Sequence, residues 1–171
     1  KTLNVFRDDR FALSEDGLFA LVPAVKNSDD AYPTLALINL SAQSYTFIPS
    51  GDASFSGIAL SRDASITAYA SGEQSETSQT LGIFIYSNNK TLKICGGDGI
   101  SYMCPVFSED ARKLYFVGIS QGECYFYSAL TNTAGCEKLF SGISAPDGVY
   151  SFSWYDMFAV YEQQNKSKEE S

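Results

Sequence analysis

An all-β chain of repeating four-stranded sheets is the fold class that this sequence predicts, and three observations predict it. Leu13, Leu60, Phe107 and Trp154 stand 47 residues apart each time, and Leu-Ser-Glu-Asp, Leu-Ser-Arg-Asp and Phe-Ser-Glu-Asp open at the first three. A second series in the same register, Tyr45, Leu92 and Leu139, repeats the far end of the unit. Aromatic and β-branched residues are plentiful between these marks, and helix-forming runs of Ala, Leu, Glu and Lys are scarce, which favours strands. Self-similarity at this period marks a solenoid, propeller or array. A sandwich gives no reason for a four-strand unit to recur at constant length. Radial blades do, because each sheet buries its faces against a neighbour like itself. The expected architecture is a β-propeller of four-stranded antiparallel blades, about three full blades plus a partial fourth.

Each unit resolves into four short β-type segments separated by turn residues. The first gives Phe11 to Leu13, Leu18 to Val22, Thr34 to Leu40 and Ser44 to Ile48. The second gives Ile58 to Leu60, Ile66 to Ala70, Leu81 to Tyr86 and Thr91 to Cys95. The third gives Val106 to Phe107, Leu114 to Val117, Cys124 to Ser128 and Glu137 to Phe140. A fourth unit begins at Tyr150 to Trp154, continues through Met157 to Glu162 and stops. Residues 1–162 are thus read as blades, and the polar tail 163–171 as a disordered end without apolar alternation. Thr2 to Phe6 alternates like a single strand. It either completes the last blade and closes a small ring, or belongs to a segment of a larger propeller.

The recurring turn has a physical job. Ser and Asp side chains bond backbone amides one to three residues on and close a tight turn without help from other strands. Ser14-Asp16, Ser61-Asp63 and Ser108-Asp110 are therefore expected to pin the hairpin between the first and second strands of each blade. Gly17 suits a position of positive φ, which Ala64 and Ala111 tolerate less well. A cation or a catalytic carboxylate at each turn is the competing reading; repetition at equivalent positions favours structure.

The third unit, Pro105-Val-Phe107-Ser108-Glu-Asp110-Ala-Arg-Lys-Leu114-Tyr-Phe116 followed by Gly122-Glu-Cys-Tyr125-Phe126, resembles the WD-like repeat of TolB and of the propeller domains of prolyl-oligopeptidase-type peptidases. The first two units match more loosely and lack the proline, and Phe152-Ser-Trp154-Tyr-Asp156 is a degenerate fourth start. The resemblance covers nearly the whole chain. It implies blades rather than an activity, since the motif is shared by proteins of many functions. Six to eight blades are usual in that family, so the resemblance favours a segment whose remaining blades, or a second copy, close the ring. An open stack exposes long edges and apolar faces, which proteins avoid.

Bulk composition excludes several classes. The 171 residues carry a formal charge of -8, whereas a nucleic-acid partner asks for a basic face and an anionic membrane surface asks for the same. No apolar run approaches the roughly 20 residues of a spanning helix, so membrane insertion is not expected. Lys1 in place of an initiator methionine reads as a processed form or an excised piece. Four cysteines, Cys95, Cys104, Cys124 and Cys136, allow three pairings, among which sequence does not choose. They make a poor metal set without a CxxC pair or any histidine. Three sequons, at Asn39, Asn89 and Asn165, are compatible with export. The resemblance to TolB points the same way, to a periplasmic or extracellular setting, with the cytoplasm not excluded.

No catalytic constellation, cofactor site or metal site is read from the chain. Gly118-Ile-Ser120-Gln-Gly122 fits the pattern of serine hydrolases. That chemistry needs a strand-to-helix elbow and a histidine base; here the segment lies between two strands in a chain with no histidine. Trp154, Tyr115, Phe116, Tyr125, Phe126 and Tyr127 fit inter-blade packing better than a carbohydrate platform. Strand alternation instead gathers the connections between second and third strands, and between blades, at one end. That end collects Asp8, Asp9, Asp29, Asp30, Asp52, Glu73, Glu76, Asp98, Glu123 and Asp147 against Arg7, Arg10 and Lys26. Loops on a rigid scaffold are where binding tends to reside. The expected partner-binding set is Asp29, Asp30, Tyr32, Glu73, Glu76, Asp98, Tyr102, Glu123 and Asp147, with Tyr102 in an exposed aromatic loop running from Gly99 to Met103. The expectation is a noncatalytic scaffold that binds a protein with a basic surface. The alternative is the propeller portion of a prolyl-oligopeptidase-like or dipeptidyl-peptidase-like serine peptidase whose catalytic domain is not in this chain.

Overall fold

The computed structural model describes residues 3–5, 10–27, 30–50, 55–72, 81–97, 99–121 and 123–144, with side chains of the last strand described as far as Leu139. The described residues form three antiparallel sheets, one per 47-residue unit. The first contains β1 (Asn4–Val5), β2 (Ala12–Leu13), β3 (Phe19–Val25), β4 (Thr34–Asn39) and β5 (Ser44–Ile48). The second holds β6 (Phe55–Leu60), β7 (Ile66–Gly72), β8 (Leu81–Ser87) and β9 (Lys90–Cys95). The third holds β10 (Ser101–Phe107), β11 (Lys113–Ser120), β12 (Glu123–Leu130) and β13 (Glu137–Ser144). Strands follow one another in simple order within each sheet, with β1 and β2 sharing the same edge of β3. The fold is all-β, three four-stranded blades of a β-propeller. The expected fourth start and the polar tail lie outside the described residues.

Register repeats with the sequence. Ala12 pairs with Leu21, Ala59 with Ala68 and Val106 with Tyr115. The next pairs, Leu13–Ala20, Leu60–Thr67 and Phe107–Leu114, keep the same offset. Each first strand is then interrupted. The register shifts between Phe55 and Gly57 and between Met103 and Val106, and the first blade has a wider break between β1 and β2. Pro23 sits opposite that break. Leu35 turns its N–H toward β5, where it donates to Ser50 Oγ at 3.1 Å, so the Leu35–Pro23 pair is a non-hydrogen-bonded one. The missing N–H of Pro23 therefore faces a place where no ladder bond is needed.

One alternative falls and one expectation changes here. Asn4 and Val5 pair with Val25 and Ala24, so this strand extends the first blade instead of completing a last one. The third blade begins at Ser101, not Val106. Gly99, the bulge at Cys104 (φ 53°) and Pro105 hide that strand from a propensity reading.

Blades pack an aromatic flank against an aliphatic one. In the second blade Tyr69 lies between Phe55 (edge-on, 5.9 Å between ring centres) and Phe84 (stacked, 5.5 Å), facing Leu21, Leu35 and Ile48 of the first. In the third blade Phe116 lies between Tyr102 (5.6 Å, edge-on) and Tyr127 (5.7 Å, stacked). This triad faces Ala68, Ala70, Ile83, Ile85 and Ile94 of the second. First strands meet closely: a Cβ at Gly57 would lie 2.8 Å from Pro105 Cδ and 2.9 Å from Cys104 N. Only glycine permits that approach.

Candidate functional site

At one end of the blades the three Ser-x-Asp turns have the expected construction. Each serine bonds its aspartate, at 2.6 Å for Ser14–Asp16 and 2.8 Å for both Ser61–Asp63 and Ser108–Asp110. Each serine oxygen also accepts from the first strand amide after the turn, that of Phe19 (2.9 Å), Ile66 (2.9 Å) or Lys113 (3.0 Å). The aspartates accept further from the amides of Leu18, Ser65 and Arg112. These donors hold the carboxyls of Asp16, Asp63 and Asp110 below the ordinary aspartate range. Gly17, Ala64 and Ala111 all adopt positive φ, 69°, 58° and 54°. The carboxylates are consumed by their own turns. Among the described residues no three acidic, cysteine or histidine side chains are grouped so as to hold a metal ion.

The sequence reading overlooked what links these turns. Glu15, Arg62 and Glu109 occupy the same position of three successive units. The Arg62 guanidinium grips both Glu15 oxygens and reaches Glu109 Oε1 at 2.6 Å. The amide of Glu15 also donates to the Arg62 carbonyl at 3.1 Å. Charge alternating at the 47-residue period is the signal that would have found this ladder.

The opposite end carries the β3–β4 and β11–β12 connections. Asp30 closes its loop on Asn27: Oδ2 accepts from the Asn27 amide at 2.8 Å and Oδ1 from its side-chain nitrogen at 3.2 Å. Those bonds, with the backbone one largest, lower its pKa and keep an exposed carboxylate ionised. Tyr32 is 41% exposed beside it. Glu123 is exposed at the start of β12 and accepts from the Tyr125 hydroxyl, while Lys138 Nζ lies 3.5 Å above the Tyr125 ring. Ser120 ends β11 and pairs with Glu123, so the Gly-x-Ser-x-Gly segment is a hairpin, not a nucleophile elbow.

Tyr102 does not belong to this surface. It is 1% exposed, opposite Gly118 in the sheet, with its ring in the third blade's triad. Met103 is buried as well. The segment reads as an aromatic loop because glycine and serine precede it, but burial of the ring against the second blade makes it strand. Asp29, Glu73, Glu76, Asp98 and Asp147 lie outside the described residues, so Asp30, Tyr32 and Glu123 are the expected partner residues that the structure places at this end.

Solved structures decide the fold. A putative TolB from Agrobacterium tumefaciens aligns with 85% of this chain and 53% of its own, at TM-score 0.60 and 15% identity. The β-propeller domain of the Trilobed protease from Pyrococcus furiosus aligns with 84% of this chain and 44% of its own, at TM-score 0.60 and 19% identity. The fold is that of a TolB-like β-propeller. A prolyl endopeptidase shares it, with 84% of this chain, 23% of its own, TM-score 0.59 and 14% identity. No family model and no curated protein matches the sequence. The chain spans about half the length, or less, of the TolB-like propellers it matches. Among the described residues no helix is long and apolar enough to cross a membrane.

Proposed function

We infer that this TolB-like propeller is a noncatalytic scaffold that binds another protein through its acidic loop end, in a periplasmic or extracellular setting. The observation that carries the reading is the pairing of a part-exposed, ionised Asp30 with the 41% exposed Tyr32 on a loop closed by its own hydrogen bonds. A preorganised anionic loop with an aromatic contact suits a basic protein surface, and its charge acts mainly on encounter rate. Among similar folds, one comes from a nidogen–laminin complex, so a propeller of this kind serves protein recognition elsewhere. The setting rests on the resemblance to TolB.

Further blades are the partner proposed for the first blade's inner edge. Val5, Phe11 and Leu13 are 56%, 65% and 53% exposed. Their counterparts, Phe55 and Tyr102 for Val5, Ile58 for Phe11, and Leu60 and Phe107 for Leu13, pack against the preceding blade. Sedimentation of the isolated chain is expected to give a mass above monomer, since this edge associates when blades are missing. A stable monomer with a high thermal midpoint overturns that part.

Capture from a native extract tests the binding reading, with the chain as bait and its Asp29→Asn/Asp30→Asn variant as control. A basic protein retained at about 50 mM salt, and reduced several-fold by the variant or by about 300 mM salt, is expected. Capture indifferent to both removes the acidic end from the account. The second reading, a peptidase propeller, is favoured by the likeness to prolyl endopeptidase and Trilobed protease propellers. A downstream α/β-hydrolase pattern with Ser, Asp and His in the parent reading frame decides for it; further blades or a stop codon decide for the scaffold.

A further inference from the structure

We propose that Cys95 and Cys136 form a disulfide that ties the outermost strand of the second blade to the β12–β13 connection of the third. Two independent placements lead to this pair. The amide of Gly135 donates to the carbonyl of Ile94 at 2.9 Å, an inter-blade backbone bond in which each cysteine is the next residue along its own segment. That bond holds the two segments side by side at the blade interface, with the cysteines on neighbouring positions, and a disulfide needs their Cα atoms within roughly 4.4–6.8 Å. Both side chains also pack on the same apolar cluster between the two blades, the one that contains Ile94 and Tyr127. Cys95 points there because it pairs with Ile83, whose side chain belongs to that cluster.

The other two cysteines are excluded by the sheet. Cys104 and Cys124 pack with Met103 and Val117 on the opposite face of the third blade, so neither meets Cys95 or Cys136 without crossing it. They are also separated from each other. Cys104 lies on β10 and Cys124 on β12, with β11 between them. Two strand spacings, about 9–10 Å, exceed the reach of a disulfide. Burial of Cys124 pushes its thiol up to about 11, with Cys104 adding to the shift, and so withholds the thiolate that exchange requires.

Oxidation here is thiol–disulfide exchange with a small-molecule disulfide. One cysteine thiolate attacks the oxidant and expels a thiolate. The second cysteine then displaces the mixed disulfide, so two protein thiols become one disulfide and the oxidant leaves as two thiols. The bond would close a loop running from Cys95 to Cys136 across the blade interface.

The test is to incubate the unaltered chain, without denaturant, with oxidised glutathione, alkylate it and map it after chymotrypsin. That protease cuts after Tyr102, Phe107 and Tyr125 and so separates all four cysteines. The expected result is one linked pair of peptides carrying Cys95 and Cys136, with Cys104 and Cys124 alkylated. The thermal midpoint is expected to rise by roughly 5–10 °C over the reduced chain. Cys136→Ser should abolish the link and the rise, and Cys104→Ser should leave both. Linkage through Cys104 or Cys124, or full alkylation of Cys95 and Cys136 after prolonged oxidation, overturns the proposal. Because mapping uses the unaltered chain, it stands even if a serine variant fails to fold.

Discussion

The first blade and the third use the same register to different ends. Phe116 stands where the first blade has Val22, and Tyr127 where it has Ala36. Ring packing thus fills the flank that the third blade turns to its predecessor, while the same two places in the first blade hold the smaller Val22 and Ala36. The second blade sides with the third, since Tyr69 and Phe84 occupy those places. What the comparison teaches is that backbone repetition and interface identity are separable. Turns and pairing recur in all three units, but the aromatic triads belong to the two described interfaces between blades.

The most forceful way to break the comparison is to truncate the equivalent side chain on each flank. Phe116 is fully buried, and Phe116→Ala is expected to cost about 3–5 kcal/mol, the range for a buried aromatic that leaves a cavity. Val22→Ala in the first blade is expected to cost about 1 kcal/mol. Denaturant unfolding measures both. Equal losses would mean that the triad is no more than ordinary core.

Gly118 sharpens the same point. Its counterparts Ala24 and Ser71 carry side chains, but a Cβ here would sit 2.7 Å from the Tyr127 ring and 2.8 Å from Ile100 Cγ2. Gly118→Ala is therefore expected to destabilise by about 1–3 kcal/mol through overpacking. Adding Tyr127→Leu should recover part of the loss, and a double-mutant cycle reads the coupling. Additive effects would contradict steric conflict with the ring.

Much of this architecture was legible in the sequence, and the misses have physical causes. The Ser-x-Asp turns could be read because their bonds are local; each side chain meets an amide within five residues. Strands β7, β8, β11 and β12 were found because aromatic and aliphatic residues fill both faces. The triads were not, because they join residues across strands whose connections differ in length: Phe84 follows Tyr69 by fifteen residues and Tyr127 follows Phe116 by eleven. Tyr102 reads as a loop residue because Gly99 and Ser101 precede it and a bulge follows. Asp30 and Tyr32 were legible as loop residues, but closure of the loop by Asn27 depends on a conformation that composition does not specify.

The turns themselves offer a milder contrast. Gly17 adopts positive φ without steric cost, whereas Ala64 and Ala111 hold left-handed geometry at about 1 kcal/mol each. Ala111→Gly is expected to raise the thermal midpoint by about 2–4 °C, and Gly17→Ala to lower it by a similar amount. Thermal scans of the two variants decide between local strain and a turn that tolerates either residue. Acid acts on the same element. The Ser65 amide and hydroxyl, then Ser61, hold Asp63 below its ordinary value. Its stabilising effect is therefore full above the unfolded aspartate pKa of about 3.9 and is lost as pH falls through the lower folded value. Asp63→Asn should flatten the midpoint against pH below about 4; an unchanged slope would put the acid sensitivity elsewhere.

The smallest expected effect belongs to the ladder that joins all three blades. Arg62, Glu15 and Glu109 are half-exposed or more, so water and salt screen their attraction. Arg62→Ala is expected to shift the thermal midpoint by no more than about 2 °C, and the shift should fade at 0.5 M salt. The backbone bond from the Glu15 amide to the Arg62 carbonyl survives that substitution, because it uses no side chain. A larger, salt-insensitive loss would mean that Arg62 holds the blades together by packing its stem rather than by charge. Charge reversal separates the two cases. Arg62→Glu places three carboxylates at one end of adjacent blades and should destabilise most at low salt, whereas a packing role would make Arg62→Glu and Arg62→Ala alike.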